Sequence, residues 1–311
     1  MTFTIGLLLF FSCSRGERGG VPSSSLPDSS RAELIVAVLP TLDCYPIAVA
    51  LQDSTFRRLG LSVRLKLYRS QMEAEQALVE GKVDVCASDI FRVAVLQNQH
   101  QDVKLLFSTR RDWRLCANKQ LRANKIADVS SRMIAGTRNS TVDFLADEVE
   151  TRLNTQNGPM LRPQINDVLI RERMLASSQL DAALLPLPLA LVAAQKGCKQ
   201  LFQTDKYSTG LSGFAVNGTV ARDEKKREQL DLFRQAYDQS AGRISRLSTL
   251  PSYPRLDRLF YIKSLKEGIS PNKYFAPSAP FDTVRIADAM QWLRERSLLR
   301  ADYKPDTLLS R

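Results

Sequence analysis

Apolar runs alternate with amphipathic stretches along most of the chain. Glu33 to Leu39 (ELIVAVL) is a continuous apolar strand of the kind buried on both faces of a sheet, and Pro40 ends it. After the loop Thr41 to Pro46 (TLDCYP), Ile47 to Leu59 reads as an amphipathic helix with Ala48, Leu51 and Phe56 inward and Gly60 at its end. Leu61 to Tyr68 alternates as a second strand, Met72 to Glu80 forms a helix, and Val85 to Ala87 is a third strand running into a helix that begins near Ile90. Val103 to Thr109 and Trp113 to Asn118 predict strands on either side of a polar break, Arg110-Arg111-Asp112, the pattern of a chain leaving one sheet for another. Met133 to Gly136 is a short strand. Val142 to Leu153 is a helix for which Ser140 or Thr141 suits the N-cap and Asp143 the first turn.

Further on, Ile165 to Ile170 predicts a strand, Arg171 to Ala176 a helix end, Leu180 to Leu185 a buried strand bounded by Pro186 and Pro188, and Leu189 to Gln195 a helix. Leu211 to Val216 reads as a return strand and Ala221 to Ser240 as a charged helix. Ser248 to Phe281 is an irregular connection with short helices at most, whose Tyr253, Tyr261, Tyr274 and Phe275 are expected to pack over the body of the protein. Val284 to Leu299 closes the chain as a helix with Ile286, Met290 and Leu293 on one face. One unit occurs twice. RERMLASSQLDAALLPLPLALVAAQ, from Arg171, repeats the plan of EQALVEGKVDVCASDIFRVAVLQ, with Leu78 matching Leu175, Gly81 matching Ser178, Val83 matching Leu180 and Asp84 matching Asp181. Two copies predict two similar α/β modules, each offering the strand end and helix start where open α/β sheets bind ligands. In both, the aspartate precedes the strand and suits a turn or capping task at the far end of the sheet.

At 311 residues and 44% hydrophobic, the chain is long enough for two domains of ordinary size. Its net charge of +11 is spread widely, with no base-reading basic helix and no aromatic-studded ribbon, which argues against nucleic acid. A solvated basic surface near anionic lipid, or one that draws anionic ligands, fits better. The five cysteines, Cys13, Cys44, Cys86, Cys116 and Cys198, include no pair at metal-ligand spacing, and the single histidine, His100, lies in a polar run. No metal site, no cofactor and no catalytic residue is predicted. Cys44 and Cys86 read as small buried residues, and spacing leaves the pairing of cysteines open.

Residues 1–12 form an apolar segment of signal-peptide length, and residues 13–31 a tether rich in Gly, Ser and Pro. The Phe-Phe-Ser-Cys ending at Cys13 resembles a bacterial lipoprotein signal, although Phe10 stands where such signals usually carry leucine and no Lys or Arg precedes the apolar run. On that reading a lipidated Cys13 anchors the mature protein to a membrane outside the cytoplasm.

The motif series VAVLPTLDCYPIAVA, AEQALVEGKVDVCASD, GTRNSTVDFLADEVE and RERMLASSQLDAALLPLPLALVAAQKG, closing with AMQWLRERSLL, is similar in content and order to the solute-binding proteins of ABC importers, in the branch that binds thiamine precursors, alkanesulfonates, taurine and nitrate. The resemblance covers roughly residues 33 to 300. It implies a two-lobed α/β fold of the type II periplasmic-binding-protein kind, with two parallel-rich sheets joined by two hinge crossings. Lobe 1 would comprise 32–109 and 217–311 and lobe 2 would comprise 110–216, with crossings near Arg110 to Arg114 and Leu211 to Asn217.

The resemblance also implies a ligand cleft lined by Thr41, Asp43 and Tyr45, by Ser70 and Gln71, and by Ser88 and Asp89 from lobe 1. Arg138, Ser140, Thr141, Leu185, Pro186 and Leu187 would line it from lobe 2. Arg138 beside a helix N-terminus points to an anionic ligand group. The implied partners are a small polar solute, anionic or heteroaromatic, and a permease with its ATPase subunits. Two alternatives are an enzyme on the same fold and a lipoprotein receptor or scaffold without transport. The pyrimidine synthase relatives need an iron-binding cysteine cluster and a reactive histidine that this chain lacks, and the carboxylates Asp43 and Asp89 have no partner base.

Overall fold

A computed structural model describes residues 33–153, 160–204, 209–265 and 270–310. The predicted signal segment, the tether and Cys13 lie outside the described residues. Strands β1 (Leu34–Val38), β2 (Val63–Leu67), β3 (Val85–Asp89), β4 (Val103–Ser108) and β9 (Ser212–Asn217) form a five-stranded sheet in the order β2-β1-β3-β9-β4. Strands β5 (Trp113–Ala117), β6 (Ile134–Ala135), β7 (Ala182–Pro186) and β8 (Lys199–Gln203) form a four-stranded sheet in the order β6-β7-β5-β8. The helices that position the site are α1 (Tyr45–Gln52), α2 (Thr55–Arg58), α3 (Gln71–Val79), α4 (Ile90–Asn98), α5 (Thr141–Leu153), α6 (Val168–Ala176) and α7 (Leu189–Gln195).

Both sheets are mixed. The expected parallel pairing is found for β2-β1-β3 and for β6-β7, while β9 runs antiparallel to β3 and β4, and β5 antiparallel to β7 and β8. β5 enters its sheet directly from β4 of the other sheet, without the helical crossover that parallel neighbours require. The second crossing falls earlier than expected: β9 belongs to the first sheet, so a boundary after residue 216 would cut it, and the chain changes sheets between β8 and Ser212.

Three further departures have local causes. The helix expected over Ile47 to Leu59 breaks at Asp53-Ser54, where Asp53 Oδ1 accepts from the Thr55 N–H at 3.1 Å and its hydroxyl at 2.6 Å and Ser54 turns left-handed at φ 62°. Leu51, within α1, is 43% exposed and not buried as expected. Ile165 to Ile170 is not a strand: Asp167 Oδ1 accepts the N–H groups of Leu169 and Ile170 and starts α6 at Val168. β8 (KQLFQ) went unread because its polar ends mask the alternation.

The largest apolar core runs across both sheets, with Val38, Leu42, Phe107 and Phe214 of the first joined to Cys116, Ala183, Leu185 and Leu187 of the second. Phe91 of α4, Phe144 of α5 and Trp292 of the closing helix Thr283–Glu295 form a second bridge, with centroid distances of 5.2 to 6.1 Å. The 248–281 segment packs inward as expected. Phe275 is buried against Tyr45, and Tyr261 packs with Val168, Leu169 and Leu189 of α6 and α7. Arg171 is wholly buried in α6 and braces the second sheet, donating to Ile165 O, Leu184 O and Thr137 Oγ1. Burial pulls its guanidinium down to about 10.

Candidate functional site

The ends of β1 and β3 and the starts of α1, α3 and α5 meet where the two sheets face each other, and they bring a polar network with them. Asp43, in the 3₁₀ turn after β1, lies 2.9 Å from Arg111 Nη2. Its Oδ2 accepts from Arg111 Nε and Thr109 Oγ1, each at 3.0 Å. Arg111 Nη1 donates to Gln71 Oε1 at 3.1 Å, and Gln71 Nε2 donates to Asp89 Oδ2 at 2.8 Å and to Glu75 Oε1 at 2.9 Å. Ser88 Oγ donates to Glu75 Oε1 at 2.7 Å, and Arg92 Nε pairs with Glu75 Oε2 at 2.9 Å. All these residues are buried.

Charges removed from water survive only when paired and bonded, and the pKa directions record that balance. Burial depresses the Arg111 guanidinium, but the Asp43 carboxylate, together with Cys44 and Asp89 nearby, holds its pKa above the ordinary arginine value. Burial lifts the Glu75 carboxyl against the pull of Arg92. The neighbouring Cys44 thiol is pushed up to about 12 by burial and then by Asp43, and Cys86 is also raised well above its ordinary value, chiefly by burial, so both are protonated thiols.

From the second sheet, Ser140 caps α5, its Oγ accepting the Val142 N–H at 3.1 Å, and the Thr141 N–H donates to Asp89 Oδ2 at 3.2 Å. Leu187 O accepts the Leu42 N–H at 3.0 Å, joining the loops after β7 and β1, and Arg69 O accepts the Val168 N–H at 3.0 Å. Several buried polar atoms at this junction have no hydrogen-bond partner: Thr41 Oγ1, Asp43 Oδ1, Arg111 Nη2, Thr141 Oγ1 and, on β9, Ser212 Oγ. Arg111 Nη2 is within ion-pair distance of Asp43 but out of line for a bond, which Nε makes instead.

The structure therefore gathers Thr41, Asp43, Gln71, Ser88, Asp89, Thr141 and Leu187 at one junction. Leu185 and Pro186 stay within β7, paired with Arg114 and Trp113. Tyr45 turns away: its ring packs on Phe260 and Phe275, its hydroxyl donates to Pro251 O at 3.0 Å, and burial raises its pKa. Ser70 caps α3 through the Glu73 N–H. Arg138 is not drawn in; its side chain is 48% exposed and lies 3.5 Å from Asp143. Sequence reasoning missed Arg111, Thr109, Glu75 and Arg92. The available signals were charged residues standing alone among apolar ones, Glu75 beside Ala74, Ala77 and Leu78, and Arg92 between Phe91 and Val93.

The junction offers donors, acceptors and two ion pairs, which is a chemistry of binding. Among the described residues, no group of three or more His, Cys, Asp or Glu is placed to hold a metal ion, and no helix is long and apolar enough to cross a membrane.

No family model matches the chain, and no curated protein matches it. Solved structures do. The ligand-binding component of an ABC-type import system from Staphylococcus aureus, with zinc bound, superposes with a TM-score of 0.71 at 10% identity over 89% of this chain and 95% of that one. The alkanesulfonate-binding protein SsuA from Xanthomonas axonopodis pv. citri, bound to MOPS, gives a TM-score of 0.67 at 14% identity over 91% and 98%. A Candida albicans gene product described as having the generic periplasmic binding protein fold gives 0.64 at 11% identity over 89% and 96%. The chain has the periplasmic binding protein fold. At such identities the likeness is one of architecture.

Proposed function

We propose that this chain is the extracytoplasmic solute-binding component of an ABC importer. One lobe is the first sheet with its C-terminal cover, the other the second sheet with α5 to α7, and a small polar solute is captured between them and passed to a permease driven by its ATPase subunits. The observation that carries this reading is the junction itself: strand-end and helix-start residues from both sheets converge there, with Thr41, Asp43, Arg111 and Thr141 each keeping a buried polar atom unbonded. The likeness to import-system binding components supports the same reading. The unbonded Thr141 hydroxyl, linked through Asp89 and Gln71 to the Arg111 guanidinium, favours a ligand with acceptor oxygens, an anionic or heteroaromatic solute, and the basic surface favours its arrival. Tethering through a lipidated Cys13 keeps the binder beside its permease.

Native mass spectrometry of freshly purified protein tests the proposal by detecting a retained small molecule. A thermal-shift panel of sulfonates, thiamine precursors and other small anions is the second arm: at about a hundred times its dissociation constant a true ligand adds about 2.7 kcal/mol of stability. No retained molecule and no stabilisation by any of them would count against capture. Cys13→Ala releases the protein from the membrane fraction if Cys13 is its anchor. The direct bonds across the junction favour a second reading, a non-transporting scaffold on the same fold, for which pull-downs would recover an unrelated partner and no permease.

A further inference from the structure

Asp89 ties the first sheet to a helix terminus of the second. It ends β3, and its two oxygens have different duties. Oδ1 accepts the Arg92 N–H at 2.9 Å and so caps α4. Oδ2 accepts Gln71 Nε2 at 2.8 Å and, from the other sheet's side, the N–H of Thr141 at 3.2 Å. Thr141 opens the thirteen-residue α5, whose first-turn N–H groups carry the positive end of the helix dipole. A carboxylate is the kind of group such a terminus binds. Here the chain supplies one itself, in full burial: Asp89 is 1% exposed and Thr141 0%.

The terminus is only partly satisfied. Thr141 Oγ1, wholly buried in the same residue, has no partner. Asp89 has committed Oδ1 to α4, leaving only Oδ2 for α5, whereas a free acid group would bring two or three oxygens to the Thr141 N–H and hydroxyl. Gln71 links this point to Arg111, whose Nη2 also has capacity left.

We propose that Asp89 is a built-in anion, holding the two sheets together through the α5 N-terminus and occupying the position that a ligand's acid group must win from it. The tie rests on this contact alone and the competition with a ligand rests on the proposed solute capture, so failure of the tie would leave capture to be judged by retained solute.

Sodium formate, a small free carboxylate, is the probe, compared with sodium chloride at equal ionic strength. Asp89→Ala empties the position. The expected result is a melting temperature that formate raises by several degrees beyond chloride in Asp89→Ala and leaves unmoved in the parent protein. The rescue should vanish in Asp89→Ala/Thr141→Pro, where proline deletes the donor N–H at a first helical position that tolerates it. Equal responses of Asp89→Ala and parent to formate, or a rescue that survives Thr141→Pro, would overturn the proposal. Because Asp89→Ala also removes the α4 cap, Thr141→Pro alone gives a second decision. A lower melting temperature and a larger radius of gyration by small-angle scattering support the tie, and parental values for both refute it.

Discussion

Asp43 and Arg111 stand 68 positions apart and meet with both side chains almost fully shielded from water. Neither is legible as a pair from sequence, where a charged side chain defaults to the surface. Thr41, Asp43, Gln71 and Asp89 were legible, because polar residues directly after apolar strands mark the ligand edge of an α/β sheet. Removing one partner of a buried pair strands the other, so Asp43→Ala is expected to lower unfolding free energy by about 3–5 kcal/mol in urea titrations. The paired change Asp43→Leu/Arg111→Met should lose much less, and a single change as mild as the double would contradict the pairing. Glu75 gives a pH signature. Burial raises its pKa above the ordinary 4.5, so the folded protein keeps this proton to higher pH than the unfolded chain. Its contribution to stability is complete below that value and is lost as pH rises through the folded pKa. Glu75→Gln should flatten that decline in unfolding midpoints measured at stepped pH, and an unchanged slope would remove Glu75 as its source. Cys44, Cys86, Cys116 and Cys198 are free and buried, with thiols raised by desolvation, so a thiol reagent should label them only after denaturation.

At the scale of elements, legibility followed how far each element's outcome depends on its own residues. Leu189–Gln195, β1 and β4 were read almost to the residue from local pattern and proline punctuation. Val168-Leu169-Ile170 suits a strand or a helix equally, and the Asp167 carboxylate decided it by bonding two helix-start N–H groups. β9 was read to within one residue at each end, as Leu211 to Val216, but the close approach that seats it shows in no periodicity. At Gly213 an added Cβ would sit 2.1 Å from Phe107 O and 2.8 Å from Ser108 Cα, both on the adjoining β4. Gly213→Ala must therefore push β9 off its neighbour, and a loss of about 1–3 kcal/mol is expected by urea unfolding. Parental stability in that variant would show that the sheet yields freely there.

Across the whole molecule, the two sheets share the large apolar core and are held further by the polar junction, by the Phe91–Phe144–Trp292 cluster and by Tyr261 on α6 and α7. Asp147 reinforces the aromatic side by accepting from Trp292 Nε1 at 2.5 Å and pairing with Arg296. The sequence order of motifs pointed to this two-sheet plan, but the contacts across it depend on residues far apart in the chain. Trp292→Ala should loosen the aromatic side, giving faster hydrogen exchange in α5 than in β1. Uniform exchange in the two elements would place the restraint elsewhere.

The place of β9 between β3 and β4 carries a consequence for how the chain is made. Every strand of the four-stranded sheet has been synthesised by residue 203, as one uninterrupted stretch, while the five-stranded sheet lacks an inner strand until residue 217 has left the ribosome or translocon. Emergence from N- to C-terminus therefore reverses the order in which the sheets can be completed. The half of the protein begun first must wait, with β3 and β4 edges open, for the half begun second, and a chaperone that shields unpaired strand edges would find its substrate during that interval.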